Sequence, residues 1–267
     1  TFSPVERFRN VEFERDWNRT NIMQTEDQHI IGGKIGFAKK ENIIVYDYKS
    51  FSEKKIYNGT KHFLHSNFAR KGLLFSLDGS YLDSKSFLSN TNFLRHLASL
   101  SKKITLAHSR NVNVGIRQQR EQNLIKAKNI DSLIAGSAQF MEWETYMEVQ
   151  DSSDNKYTIN YKQRTDYFPK NSDKSELHKT THAKIFGGEA ELFSNPNSQF
   201  RITGNFRKLI ILDTSITTQK PENTIIGRTE YNFSALKGFF SSGTFYEVGS
   251  GMEVKKEFVF LEVAPGQ

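Results

Sequence analysis

Cysteine is absent from this chain of 267 residues. That excludes a disulfide frame, a thiolate metal site and a thiol nucleophile. Proline is scarce at 5 and glycine ordinary at 17, which excludes collagen-like and low-complexity classes. No apolar run approaches the roughly 18 residues of a membrane-spanning helix. No basic segment followed by an apolar one opens the chain, so no signal peptide is read in it. Helical periodicity is also nearly missing. What the chain has is aromatic rings: 22 Phe and 10 Tyr, too many for a disordered segment. The net charge of +7 is spread along the whole length, and it fits lipid phosphates as well as it fits other anions. A mean hydropathy of −0.60 is compatible with a membrane β-barrel, because only every second residue of such a strand faces lipid.

Alternation with a period of two dominates. Leu73, Phe75, Leu77, Gly79 and Tyr81 oppose Leu74, Ser76, Asp78 and Ser80. Tyr157, Ile159 and Tyr161 oppose Thr158, Asn160 and Lys162, and Phe200, Ile202 and Phe206 oppose Arg201, Thr203, Asn205 and Arg207. One face of each stretch suits an apolar medium and the other suits water. Turn and breaker residues place strands near 30–38, 43–53, 61–69, 73–83, 91–99, 104–118, 136–150, 157–167, 178–194, 199–211, 224–235 and 239–248. A thirteenth falls near 253–263. Short connections (39–42, 70–72, 100–103, 151–156, 195–198, 236–238) then alternate with long ones (54–60, 84–90, 119–135, 168–177, 212–223). Such alternation is what an outer-membrane barrel shows, with tight turns at one end and long loops at the other. The long loop 119–135 is expected to hold a short helix through Leu124, Ala127, Ile130 and Ile134.

The chemistry-bearing residues are poorly arranged for catalysis or metal binding. His62 and His65 alternate to opposite faces of a strand. His178 and His182 share a face but stand roughly 13 Å apart along it. No Gly-x-Ser-x-Gly elbow is present. Glu142, Glu144 and Glu148 lie on one face and are expected to line a wet surface, paired with Lys or Arg of neighbouring strands. Asp151–Asn155 lacks the glycine and the terminal glutamate of a calcium loop, so a hairpin turn is expected there. Gly187-Gly188 is expected to mark a bulge or bend. No catalytic, cofactor-binding or metal residue is assigned, and no enzyme activity or nucleic-acid partner is expected.

Two stretches, Ser3–Asn18 and Phe245–Gln267, resemble segments of large, poorly characterised β-rich cell-envelope proteins of Bacteroidota. The similarity takes in the Tyr57–His62 region and Trp143. It implies an outer-membrane or cell-surface location and no defined activity.

The expected fold is all-β. Residues 1–29 form a leading strand or plug-like segment. Residues 30–267 form a long-stranded antiparallel meander of about 12–13 strands, part of an outer-membrane-type barrel with a structural or transport role. The terminal Ala264-Pro265-Gly266-Gln267 reads as a turn, so the sheet is expected to be completed by another chain or by more of the same polypeptide. The expected partner is the lipid bilayer. The alternative is a soluble surface or periplasmic β-sheet domain that binds glycan or protein.

Overall fold

A computed structural model of the protein describes Trp17 and residues 28–54, 56–106, 110–128, 132–195, 197–235 and 239–250. These residues form one sheet of twelve strands: β1 (Gln28–Lys39), β2 (Asn42–Glu53), β3 (Tyr57–Arg70), β4 (Leu73–Ser86), β5 (Ser89–Thr105), β6 (Asn111–Ala127), β7 (Ala138–Gln150), β8 (Lys156–Lys170), β9 (Asp173–Asn195), β10 (Ser198–Ile211), β11 (Glu222–Ala235) and β12 (Phe240–Ser250). Each strand pairs antiparallel with its neighbours in chain order, and β1 and β12 are not paired with each other. The chain is all-β, a meander, and no helix occurs among the described residues.

Tight turns set the register. Lys71 (φ 48°) and Gly72 (φ 74°) form a two-residue hairpin turn, both left-handed as the right-handed twist of the flanking strands requires. Gly72 is needed there twice over, since a Cβ would also come within 2.7 Å of the Lys103 carbonyl.

Several connections differ from the sequence reading. Residues 100–103 belong to β5, whose hairpin to β6 comes later, at 106–110. Residues 119–127 extend β6 and hold no helix, while 168–170 and 173–177 extend β8 and β9 around a turn at 171–172. The loops at 54–56 and 87–88 are short. The other five connections expected to be short share one edge with 106–110, here called the basic edge, but only 128–137 and 212–221 are long on the other. The reason is physical. The strands run on past their apolar stretch, and polar residues that pair across strands, such as Arg95 with Glu121, look like loop when read singly. Gly187 and Gly188 stay in register. The irregularities fall between Asp166 and Tyr167, between Pro169 and Lys170, and between Ser198 and Gln199. The expected thirteenth strand and most of the leading segment lie outside the described residues.

Candidate functional site

Cross-strand pairing sorts the side chains into two faces. Leu73, Phe75, Leu77 and Tyr81 share one, and Ser76, Asp78 and Ser80 take the other, as their alternation dictates. Followed across the sheet, the first face is apolar. The row through Phe75 passes Leu100, Ile116, Thr145, Tyr161, Phe186, Phe206 and Ile225. The next row toward the basic edge but one holds Ile104, Val112, Val149, Tyr157, Ala190 and Ile202. Most of the large exposed apolar side chains of the strands stand on this face, among them Phe186 at 58% and Trp143 at 45% exposed.

The opposite face is polar and crowded. Glu144 is 7% exposed. It accepts from Asn160 at 2.9 Å and from Arg117 at 3.3 Å, and it lies 3.4 Å from Lys162 Nζ. Glu148 accepts from Asn113 at 2.9 Å and also pairs with Arg117. Glu144 and Glu148 therefore pair across strands as expected, whereas Arg164, the register partner of Glu142, pairs with Asp166 instead. Arg201 pairs with Glu189 at 2.7 Å and Arg95 with Glu121 at 2.8 Å. His65 Nδ1 lies 2.6 Å from Asp78 Oδ1. Rings on this face are covered by cations: the Arg117 guanidinium sits 4.0 Å from the Tyr146 ring centre and Arg164 4.1 Å from Phe140. Gly115 makes room for that tyrosine, since a Cβ there would come within 2.5 Å of its ring. Side chains of the polar face bury one another while those of the apolar face stand out, as they do when a sheet curls around its polar side.

The apolar stretch does not stay at one register. The row of Ile35 passes Tyr46 and Leu64 and reaches His182 and Ile210 on β9 and β10. On β10 the apolar stretch of that face is Phe200–Phe206, nearer the basic edge. Equivalent positions turn polar as the sheet is crossed: the row that starts with Phe37, Ile44 and Leu77 ends in Gln163, Lys184 and Lys208. The centre of the band therefore shifts toward the basic edge from β1 to β10, with Leu94, Met141 and Ile210 standing on the same face beyond it.

One apolar cluster sits on the polar face. Trp17, 4% exposed, packs 5.4 Å from the Phe51 ring, and Tyr57 Oη donates to the Trp17 carbonyl at 2.6 Å. Leu82 completes the cluster, with Ile56 and Phe93 against it. Gly59 is required by this packing, because a Cβ would lie 2.8 Å from the Tyr57 ring and 3.1 Å from that of Trp17. Trp17 is the one described residue of the leading segment ahead of β1, and it rests inside the curl.

At the edge opposite the basic one the two long loops fold onto β9. Thr180 is left out of the β8–β9 register and is fully buried, and its carbonyl accepts from Leu212 N at 2.9 Å. Leu133 N donates to the Lys174 carbonyl at 2.8 Å, and Lys170 Nζ to Asp213 at 2.9 Å. Ser215 and the Lys170 ammonium hold the Asp213 carboxyl down at about 2. The extra residue at Thr180 also places His178 and His182 on opposite faces, against the expectation that they share one. His178 meets different neighbours: its donor atoms and those of Asp173 and Glu176 lie within 4.8 Å of one another. The sequence signal for this trio is Asp173-x-x-Glu176-x-His178, which carries a single histidine. Asp173 already accepts from Ser175 N and Oγ and lies 3.2 Å from His178 Nε2. Asp173 is thus already taken up by Ser175 and His178. Asp151 Oδ1 accepts from the Ser153 and Asn155 amides at 2.8 and 3.0 Å, which makes 151–155 the hairpin turn expected.

Among known proteins, no family model, no curated protein and no solved structure matches the chain. The resemblance to cell-envelope proteins rests on the sequence segments alone.

Proposed function

We propose that this chain is a structural or transport-related part of an outer-membrane β-barrel. Its apolar face lies against hydrocarbon and its polar face lines a wet interior. The observation that carries this reading is the shift of the apolar band. A barrel closes only when its strands tilt, and tilt obliges the register to stagger from strand to strand. A lipid-facing band level with the membrane must then slide along the strands, as the apolar stretch does between Ile31–Phe37 and Phe200–Phe206. A soluble sheet covered by a second layer has no such requirement. Strand lengths of 12 to 17 residues in β1–β6 exceed the roughly 9–11 that cross about 30 Å at a tilt. Tyr157, Tyr161 and Trp143 stand near the ends of the band, where interfacial rings belong. Of the polar residues on the same face, Arg120, Lys184 and Lys208 fall outside the band on strands that run beyond it.

The location is the outer membrane or cell surface of a bacterial envelope. Among the described residues β1 and β12 stay unpaired with each other, so the wall is closed by strands beyond these twelve. The test is partition: the protein should require detergent for extraction from membranes and should float with vesicles at high salt and at alkaline pH. Release into the aqueous phase under those conditions would favour a soluble surface domain that binds glycan or protein.

A further inference from the structure

We infer that the apolar face carries a seat for one anionic phospholipid, its phosphate at Arg70 and Lys102 and an acyl chain in the groove between them and Phe186. The inference rests on the bilayer reading above. A groove of about 540 Å³ crosses this face, walled by Leu73, Leu100, Ile116, Met147, Ile159 and Phe186. It arises because Thr145 is short in a row of large side chains, flanked by Ile116 and Tyr161. Lys102 lines its mouth. Arg70, Leu73 and Lys102 are consecutive partners in one row, so the two cations flank a leucine on the apolar face.

Lys102 is held in place. Its Nζ donates to the Lys71 carbonyl at 2.6 Å, and the Lys103 amide donates to Gly72 at 2.8 Å, which ties the β3–β4 turn to β5. An ammonium has three donors, so two remain for a phosphate. No carboxylate pairs with Arg70 or Lys102 among the described residues. The setting is basic as well: Lys39-Lys40, Arg70-Lys71 and Lys102-Lys103 cluster at one edge, with Glu41 the lone acidic residue of the first two turns.

Geometry favours a lipid over a free anion. From β4 to β9 the groove runs about 24 Å at about 4.8 Å per strand. Strands tilted by about 45° give the row the same slope, so the groove descends about 17 Å, close to half of the roughly 30 Å core. It starts at the cations and ends within the apolar band, as the path from a headgroup into one leaflet does. A free phosphate would use the cations and leave the groove unexplained.

Spin-labelled phosphatidylglycerol and phosphatidylcholine, read by electron paramagnetic resonance on the protein in vesicles, test this. The motionally restricted population should favour phosphatidylglycerol. The preference should drop about fivefold for each cation removed in Arg70→Gln and Lys102→Gln. Lys103→Gln, on the polar face, should leave it unchanged, and unaltered circular dichroism would show that the variants fold. A restricted population with no lipid preference, or a preference that survives the double variant, overturns the seat while leaving the bilayer reading intact. The absence of any restricted lipid removes both.

Discussion

The chain has two tryptophans, and they stand on opposite sides of one sheet. Trp143 projects from the apolar face, 45% exposed, in a row with Gln118 and Gln163. Trp17 is buried to 4% against Phe51 and Tyr57 on the face that otherwise carries ion pairs. In a water-soluble protein the better-buried ring marks the core, and the exposed apolar face would be an anomaly extending over twelve strands. With hydrocarbon as the solvent of one face, both placements become ordinary. The rule that apolar groups hide from water is then satisfied from outside the fold, and the polar face becomes the interior.

The difference between the faces can be broken by moving charge across it. Leu77→Asp puts a carboxylate on the apolar face at the middle of β4's band and should cost about 3 kcal/mol. Ser80→Asp, on the polar face and paired in register with Arg95, should change stability by no more than about 0.5 kcal/mol. Urea unfolding in vesicles measures both, and equal effects would abolish the distinction between the faces. On the polar face, Glu144→Gln removes the anion shared by Arg117 and Lys162 and should cost about 2 kcal/mol. A double-mutant cycle with Arg117→Ala should show strong non-additivity, since the two groups touch.

Gly59→Ala sharpens the comparison by disturbing the one apolar cluster on that face. Its Cβ would strike the Tyr57 and Trp17 rings, for a loss of about 1–2 kcal/mol, visible as a red shift of Trp17 emission. The smallest effect lies in the loops. The Asp213 carboxyl is depressed from its ordinary 3.8 to about 2. Its contribution to stability is therefore complete above about pH 4 and is lost as pH falls through about 2. Hydrogen exchange at the Leu212 amide, bound to Thr180, should accelerate across that window, relative to the intrinsic rate, and should lose the dependence in Asp213→Asn.

The meander and its faces were legible in the sequence because alternation is local. Leu73 to Tyr81 and Phe200 to Phe206 needed no partner to be read. Strand ends were not legible wherever a strand outran its apolar stretch. Gln119, Glu121 and Asn123 have the composition of a loop and are strand because Arg95 and other neighbours pair across to them. The bulge at Thr180 was invisible for a similar reason. It depends on a loop 32 residues later accepting its geometry, with Leu212 donating to the freed carbonyl. The groove at Thr145 and the shift of the apolar band belong to register, which no single strand encodes.

The central claim is that the apolar face meets hydrocarbon while the polar face does not. Two single-tryptophan variants test it directly, Trp17→Phe leaving Trp143 and Trp143→Phe leaving Trp17, each reconstituted in vesicles of lipid brominated along the acyl chain. Bromine quenches only rings that it touches. The account predicts strong quenching of Trp143 and little of Trp17, whose emission should also resist aqueous iodide. Quenching of Trp143 by iodide and by no brominated lipid would contradict it, and the apolar face would then have to be covered by protein.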